Sequence, residues 1–436
     1  MSEISLTVGI YTLGCKVNQY ESEAIAEALE ARGFTVLKHS EKCDIYIINT
    51  CTVTAESDRK ARQFIRRAVA KNPSAYIAVT GCLAETRPDD IAKIDGVDYI
   101  CGNAKKMTVV EAILKYAEIK QKNKTAEIYK AELDTAPFEE MNITHFDRTR
   151  AYVKIEDGCE NRCTYCIIPS ARGKVRSKSP EDVISEVEAL TRGGCREVVL
   201  TGIETASYGR DLKTVDLASL LCRVDKINGI GRVRLGSLDP SLMTDRFVAK
   251  IADLGSLTPH FHLSLQSGSD RILALMKRKY NSRMALEGME RIRRVMPNAM
   301  FTTDIIVGFP GETDEDFEAT VDFVKRAKFL SAHIFTYSKR AGTPAAAMPD
   351  QIPESIKKER SAKLIAIQNE IRNELLLNEV GNEYDVLFET QSRDSAAGHT
   401  PSFIEVNVNS DRPLQGCIHK VKIVGVEDGA CLGVIV

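Results

Sequence analysis

Along the first hundred positions the hydrophobic residues fall into short β-branched or aromatic runs, at 7–13, 44–48 and 75–80, each followed by a loop and then by helical periodicity. The helix predicted over 21–32 illustrates the pattern, with Ala24, Ile25, Ala28 and Leu29 on one face and Gly33 placed as its C-cap. Strands alternating with helices in this way predict a parallel sheet, because parallel neighbours need crossover connections. From about 118 to 150 the periodicity fades into Lys120, Gln121, Lys122, Asn123 and Lys124, then Thr135, Ala136 and Pro137, which predicts a linker. Six further strands are predicted at 151–155, 197–201, 232–236, 260–265, 302–307 and 333–337, all but the last with a clear helix behind them. After the first of these, Ser179 as N-cap, Pro180 at the first helical position and Val183, Ile184, Val187 and Leu190 as the apolar stripe define a helix ending near Gly193. Six βα units predict a partial barrel, short of the eight that close a full one. A charged helix over 354–379 leads to short strands at 386–389, 403–408, 419–424 and 431–436, the pattern of a small antiparallel barrel.

The expected fold class is therefore α/β: a parallel-sheet domain over 1–118, a linker over 119–147, a partial (βα)6 barrel over 148–375 and a small antiparallel β-barrel over 376–436. A chain of 436 residues has the length for several such cores. No apolar run is long enough to span a bilayer, and residues 1–10 lack the basic start and apolar centre of a secretion leader, so a cytoplasmic protein without membrane association is expected. There, 12 cysteines do not predict a disulfide framework, and their spacing becomes the informative quantity. The balance of 59 basic against 61 acidic side chains gives no global attraction to a polyanion, so any nucleic-acid footprint must be local.

Cys159, Cys163 and Cys166 directly follow the first strand of the second domain, spaced by three and then two residues. Three thiolates can serve three irons of a 4Fe-4S cluster and leave the fourth iron open to a small molecule. Structural zinc is the competing reading, but it normally wants a fourth Cys or His nearby, and Glu160, Asn161, Arg162, Thr164 and Tyr165 offer none. A second trio is found by position. Cys15, Cys51 and Cys82 each follow a predicted strand of the first domain, at the sheet edge where parallel folds place ligands. Buried thiols packing as small hydrophobes are the other reading of this trio. Cys43, Cys101, Cys195, Cys222, Cys417 and Cys431 share no such placement and are assigned to packing.

The run Asp157-Gly158-Cys159 through Cys166-Ile167-Ile168-Pro169 and Arg172-Gly173 resembles the radical S-adenosylmethionine (SAM) core of the methylthiotransferase family. Leu13-Gly14-Cys15-Lys16-Val17-Asn18, Asn49-Thr50-Cys51-Thr52-Val53 and Thr80-Gly81-Cys82 resemble that family's N-terminal domain. The resemblance implies two 4Fe-4S clusters. At the Cys159, Cys163 and Cys166 cluster, SAM would bind the open iron, and one-electron reduction would release a 5′-deoxyadenosyl radical. At Cys15, Cys51 and Cys82 an auxiliary cluster would assemble the sulfur that is methylated and transferred. An unactivated C–H bond is beyond side-chain acids and bases, which is why such chemistry needs a cofactor.

By the same resemblance, the loops at strand carboxyl ends place Gly202, Ser237, Gln266 and Asp304 in the SAM pocket, although ordinary turn residues would also suit these positions. Glu204-Thr205-Ala206 departs from the family pattern, at a place where related chains vary. His260 and His262 alternate on one strand, too few for a metal site, and are assigned structural or cofactor-shell places. Arg59, Lys60, Arg62, Arg66, Arg67 and Lys71 make a basic helix face suited to phosphates or simply to solvent, and Arg172, Lys174, Arg176 and Lys178 form a second group expected at the mouth of the site. The C-terminal segment resembles the small TRAM-like RNA-binding barrel of the family. With four basic against nine acidic residues, net −5, it would have to rely on placed residues such as Arg393, Lys420 and Lys422, or share RNA binding with the N-terminal domain.

The motifs around Cys15 and Cys51 are most similar to the branch acting on N6-threonylcarbamoyladenosine beside the tRNA anticodon. The expected function is thus methylthiolation at C2 of that nucleoside, with tRNA and a one-electron reductant as partners and an unidentified sulfur donor. The sister activities, on isopentenyladenosine in tRNA or on an aspartate of a ribosomal protein, and a non-catalytic zinc-containing RNA-binding protein, remain the alternatives.

Overall fold

The computed structural model describes residues 6–146 and 149–436, so the first five positions of the stretch read for a leader and the domain boundary at 147/148 lie outside the described residues. The first sheet contains β1 (Thr7–Thr12), β2 (Thr35–Leu37), β3 (Ile45–Thr50), β4 (Tyr76–Gly81), β5 (Tyr99–Cys101) and β6 (Glu127–Tyr129), in the order β2-β1-β3-β4-β5-β6. Every pairing is parallel. Both faces are covered. Helix Ala55–Lys71 packs Ala61, Ile65 and Ala68 on one side, and helices Lys16–Glu30 and Thr108–Ile119 pack Ile25, Leu29, Val109 and Ile113 on the other. That double coverage is why β3 and β4 are buried at every residue and read as unbroken apolar runs. The three-residue strands β2, β5 and β6 are too short to show a period, and β6 recruits part of the stretch read as a linker. Farther along that stretch, Met141 and Ile143 are buried in the core of the second domain.

The central part contains β7 (Arg150–Lys154), the short antiparallel pair β8 (Glu156–Asp157) and β9 (Arg176–Ser177), then β10 (Glu197–Thr201), β11 (Arg232–Leu235), β12 (Ser237–Leu238), β13 (His260–Gln266), β14 (Met300–Val307) and β15 (Ser331–Thr336). Two all-parallel sheets, β11-β10-β7 and β12-β13-β14-β15, make an arc that stays open between β7 and β15. The strand predicted at 232–236 is divided at Gly236 between the two sheets. Alternation along the strands sets the two faces. On β14, Phe301, Ile305 and Val307 join the main core, while Thr302 and Asp304 turn inward and meet histidines of β13.

The C-terminal part closes into a five-stranded barrel, β16 (Glu383–Gln391), β17 (Ser395–His399), β18 (Glu405–Asn409), β19 (Ile418–Glu427) and β20 (Ala430–Ile435), ordered β16-β17-β18-β20-β19. Four strands were legible, and the fifth, β17, reads Ser-Ala-Ala-Gly-His, without a β-branched or large apolar residue. Four pairings are antiparallel and β18 with β20 is parallel, which departs from the wholly antiparallel expectation.

This barrel seals the amino ends of the central strands. Arg150, Arg232 and Arg234 converge on the fully buried Glu197. Burial alone would raise that carboxyl, but Arg234, Arg150 and Arg232 bring it down to about 2. The same arginines reach across to Glu389 and to the backbone oxygens of Asp385, His399 and Pro401. Phe403 stacks on His260 at 4.6 Å and on His399 at 4.5 Å, beneath the guanidiniums of Arg150 and Arg234.

Candidate active site

In the first sheet the strand order reverses between β1 and β3, which is where open α/β sheets place their ligand crevice. Cys15 is the N-cap of the helix after β1, Cys51 follows β3, and Cys82 opens the helix Cys82–Thr86 after β4. Cys82 lies close enough to both Cys15 and Cys51 to raise their thiols. Burial pushes Cys51 up to about 11, and the neighbouring Cys82 and Cys15 add to the rise. Cys15 is open to water but surrounded by protein, and burial raises its thiol too. Gly14 is required beside it: φ is +101°, and a Cβ there would come within 3.0 Å of Cys51 Sγ.

Cys159, Cys163 and Cys166 lie on one loop beyond β8, pinned by Cys159 N–H to Gly173 O at 3.0 Å and Thr164 N–H to Met276 O at 3.1 Å. A Cβ on Gly158, whose φ is +89°, would sit 1.9 Å from Lys174 O, so only glycine lets the chain turn into this loop. Burial pushes Cys159 and Cys166 each up to about 12.

The two trios are neighbours. Helix Cys82–Thr86 packs on helix Ile168–Arg172, and Asn103 Nδ2 bridges them, donating to Cys82 Sγ at 3.6 Å and to Ala171 O at 2.7 Å. Behind this contact is a fully enclosed charge cluster. Glu21 receives Arg172 at 2.6 Å, Lys154 at 2.8 Å and Lys106, while Asp157 receives Lys154 at 2.7 Å and Arg172 at 3.1 Å. Burial would raise the Glu21 carboxyl, but Arg172, Lys106 and Lys154 hold it well below the usual range. Arg172 also donates to Asn18, and Asn18 Nδ2 in turn ties Leu13 O and Thr50 O, the backbone leading to Cys15 and Cys51.

This corrects the expected basic mouth at 172–178. Arg172, Arg176 and Lys178 are buried in ion pairs with Glu21, Asp157 and Glu186, and only Lys174 is exposed. On helix Ala55–Lys71, by contrast, Arg59, Lys60, Arg66, Arg67 and Lys71 are exposed and Arg62 is half-buried. Arg393, Lys420 and Lys422 are exposed on the C-terminal barrel, the latter two on one face of β19.

Of the residues expected around SAM, Ser237 pairs in register with His262, and His262 Nε2 lies 3.2 Å from Asp304. Gln266 ends β13 with φ +75°, a strained value for a side chain of its size, at a register shift in the sheet. Gly202 packs on Glu156, where a Cβ would approach Oε2 to 2.6 Å. Glu156 Oε2 accepts the Glu204 N–H at 2.8 Å, and Glu204 accepts Asn161 Nδ2 of the cysteine loop at 2.9 Å. Glu204 thus gains a place the sequence did not assign, and burial, with Asp239 nearby, pushes its carboxyl up to about 7. His260 serves the barrel contact instead, through Thr302 and Phe403. Arg278, which carried no signal, is 115 positions from Cys163 and donates to its Sγ at 3.2 Å.

The donor set fits iron-sulfur chemistry. Thiols such as Cys51, Cys159 and Cys166, whose protons burial holds firmly, ionise when a cationic centre takes them as thiolates. Among the described residues, no three His, Cys, Asp or Glu side chains gather closely enough to hold a single metal ion. A 4Fe-4S cube, with irons and sulfides at alternate corners, gives each thiolate its own iron and so needs the thiolates spread apart.

An open arc of parallel strands with three cysteines beyond its first strand defines a radical SAM protein, and the Radical SAM superfamily profile matches residues 153–324. A profile described as uncharacterized protein family UPF0004 matches residues 7–102. The chain is 40% identical over 426 residues to the threonylcarbamoyladenosine tRNA methylthiotransferase MtaB of Bacillus subtilis, covering 96% of this chain and 93% of that one. It is 38% identical to the tRNA-2-methylthio-N(6)-dimethylallyladenosine synthase of Carboxydothermus hydrogenoformans, covering 95% of this chain and 96% of that one. This chain belongs to the radical SAM methylthiotransferase family. Among solved structures, the radical SAM methyltransferase TsrM of Kitasatospora setae superposes with a TM-score of 0.56 over 79% of this chain and 77% of that chain at 17% identity, a likeness of fold.

Proposed function

We propose that this protein is a cytoplasmic tRNA methylthiotransferase that adds a methylthio group to C2 of N6-threonylcarbamoyladenosine beside the anticodon. The observation that carries the reading is the pairing of two cysteine trios across one buried contact, in a chain whose relatives named for this activity are 35–40% identical over most of its length. Cys159, Cys163 and Cys166 would hold one 4Fe-4S cluster with SAM, and Cys15, Cys51 and Cys82 the second. When bound, these groups supply the one-electron and sulfur chemistry that an unactivated C–H bond requires.

The chain's own residues bind and orient. Ser237, Gln266, Asp304 and Gly202 line the cofactor side of the lumen, and the Glu21–Arg172 cluster fixes one trio relative to the other. Glu204, with a carboxyl near 7, can hold or release a proton beside the Cys159 loop. The working division is 1–118 for the auxiliary domain, 119–147 for the connection, 148–375 for the radical core and 376–436 for RNA binding. The exposed basic residues of helix Ala55–Lys71 and of β19 are suited to phosphate contacts. A one-electron reductant and a sulfur donor complete the partners. No described helix is long and apolar enough to cross a membrane.

The dimethylallyl-adenosine relatives sustain a second reading, in which the same chemistry acts on an isopentenylated adenosine. Mass spectrometry of tRNA nucleosides from a deletion strain decides: loss of the methylthio-threonylcarbamoyl nucleoside supports the proposal, and loss of the isopentenyl one replaces it. Anaerobic reconstitution should give about eight irons per chain. Cys163→Ala should lose SAM cleavage, while Cys51→Ala should keep it and transfer no sulfur.

A further inference from the structure

Arg278 follows the helix Asp270–Leu275, and its side chain is 5% exposed. One guanidinium nitrogen, Nη1, donates to Cys163 Sγ at 3.2 Å. The other, Nη2, donates to Asp239 at 2.9 Å and to Ser264 O at 2.8 Å, and Nε donates to the Tyr280 hydroxyl at 3.1 Å. The Tyr280 ring lies under the guanidinium at 5.0 Å. The backbone around it is joined to the cysteine loop as well, since Thr164 bonds Leu275 O and Met276 O. A planar group held at every nitrogen cannot swing away. From this frame Nη1 reaches out to the sulfur of Cys163.

We propose that Arg278 sets the reduction potential of the iron-sulfur cluster held by Cys159, Cys163 and Cys166, by donating a charged hydrogen bond to the Cys163 thiolate. The inference rests on the cluster assignment proposed above. A low-potential one-electron donor adds one electron to the cluster, making it more negative by one charge. A fixed cation bonded to a ligand sulfur stabilises that reduced form more than the oxidised one. Asp239, paired with the same guanidinium, moderates the effect, so loss of the two partners should act in opposite directions. Arg278 is a positioning residue, acting through the Cys163 ligand.

The test is an EPR-monitored redox titration of the reconstituted full chain without SAM, with the cluster of Cys15, Cys51 and Cys82 as internal reference. Arg278→Gln should make one-electron reduction of the radical-core cluster about tenfold less favourable, about 59 mV more negative. Asp239→Asn should move it the other way, and the reference cluster should not move. An unchanged midpoint in Arg278→Gln, or shifts of the same sign in both variants, overturns the proposal. If Arg278→Gln binds only four irons, Arg278→Lys is titrated in its place. Loss of the radical-core cluster from that variant too also overturns it, because Arg278 is then only a support. Absence of this cluster from the unmodified chain refutes the functional reading itself.

Discussion

Glu21 is where the two halves of the site are most exposed to a single substitution. Its carboxylate is wholly buried and accepts Arg172, Lys154 and Lys106, with Asp157 beside it pairing Lys154, Arg172 and Arg176. Glu21→Gln leaves four buried cations, Arg172, Lys154, Lys106 and Arg176, around the single carboxylate of Asp157. Removing one member of a buried ion cluster costs about 3–5 kcal/mol, because the partners cannot regain water. That is a large part of the roughly 5–15 kcal/mol by which domains are stable. Lys106 comes from the segment after β5, Lys154 ends β7, and Arg172 ends the helix behind the cysteine loop, so the cost falls on the contact between domains. Limited proteolysis and thermal denaturation of the cluster-free protein should show the N-terminal domain released before the central arc unfolds. Glu21→Gln with Lys106→Met restores the charge balance of the group and should recover at least about 1 kcal/mol of coupling, as contacting residues do. The pH dependence has a definite sign. Because the folded protein holds the Glu21 proton more weakly than the unfolded chain does, the stabilisation is complete above the ordinary carboxylate range and is lost as pH falls below it. A Glu21→Gln protein that melts within about 0.5 kcal/mol of the parent, or a double variant no better than the single one, refutes this account of the cluster.

Three other outcomes follow from the same reasoning. Glu197→Gln should cost about 3 kcal/mol, from a carboxyl held at about 2 by three arginines, and the parent should lose that stability progressively as pH falls from the ordinary carboxylate range toward this value, measured by melting from pH 7 to pH 3. Phe403→Ala should free the C-terminal barrel without unfolding it, seen as cleavage near helix Glu354–Leu377 and a larger radius in solution scattering; an unchanged radius contradicts the docking role. Lys420→Gln with Lys422→Gln should weaken tRNA binding alike for modified and unmodified anticodons and reduce the salt slope by about 1.5–2, and an unchanged slope removes β19 from the RNA interface.

How much of this was legible depended on the length scale of each signal. The CxxxCxxC run is local, so its spacing alone marked it as a candidate cluster loop. The long strands were legible where burial on both faces gave unbroken apolar runs, as in β3 and β4, and β17 was not, because Ser-Ala-Ala-Gly-His earns its place through pairing partners on either side. Arg172 and Arg176 were expected at the mouth of the site because a sequence shows the charge and not its counterion. Glu21, Asp157 and Glu186 meet them and Lys178 only after folding. Arg278 and Glu204 were missed for the same reason: their relation to the cysteine loop spans 115 and 43 positions and follows no periodicity.

The plug of arginines, Glu197 and Phe403 gives the central arc a floor. With the amino ends of the strands so occupied, the carboxyl ends beside the cysteines and the gap beside β15 are the sides left for approach. If small molecules and RNA share that approach, exchange of the one would wait for the other to lift away, and turnover would be ordered.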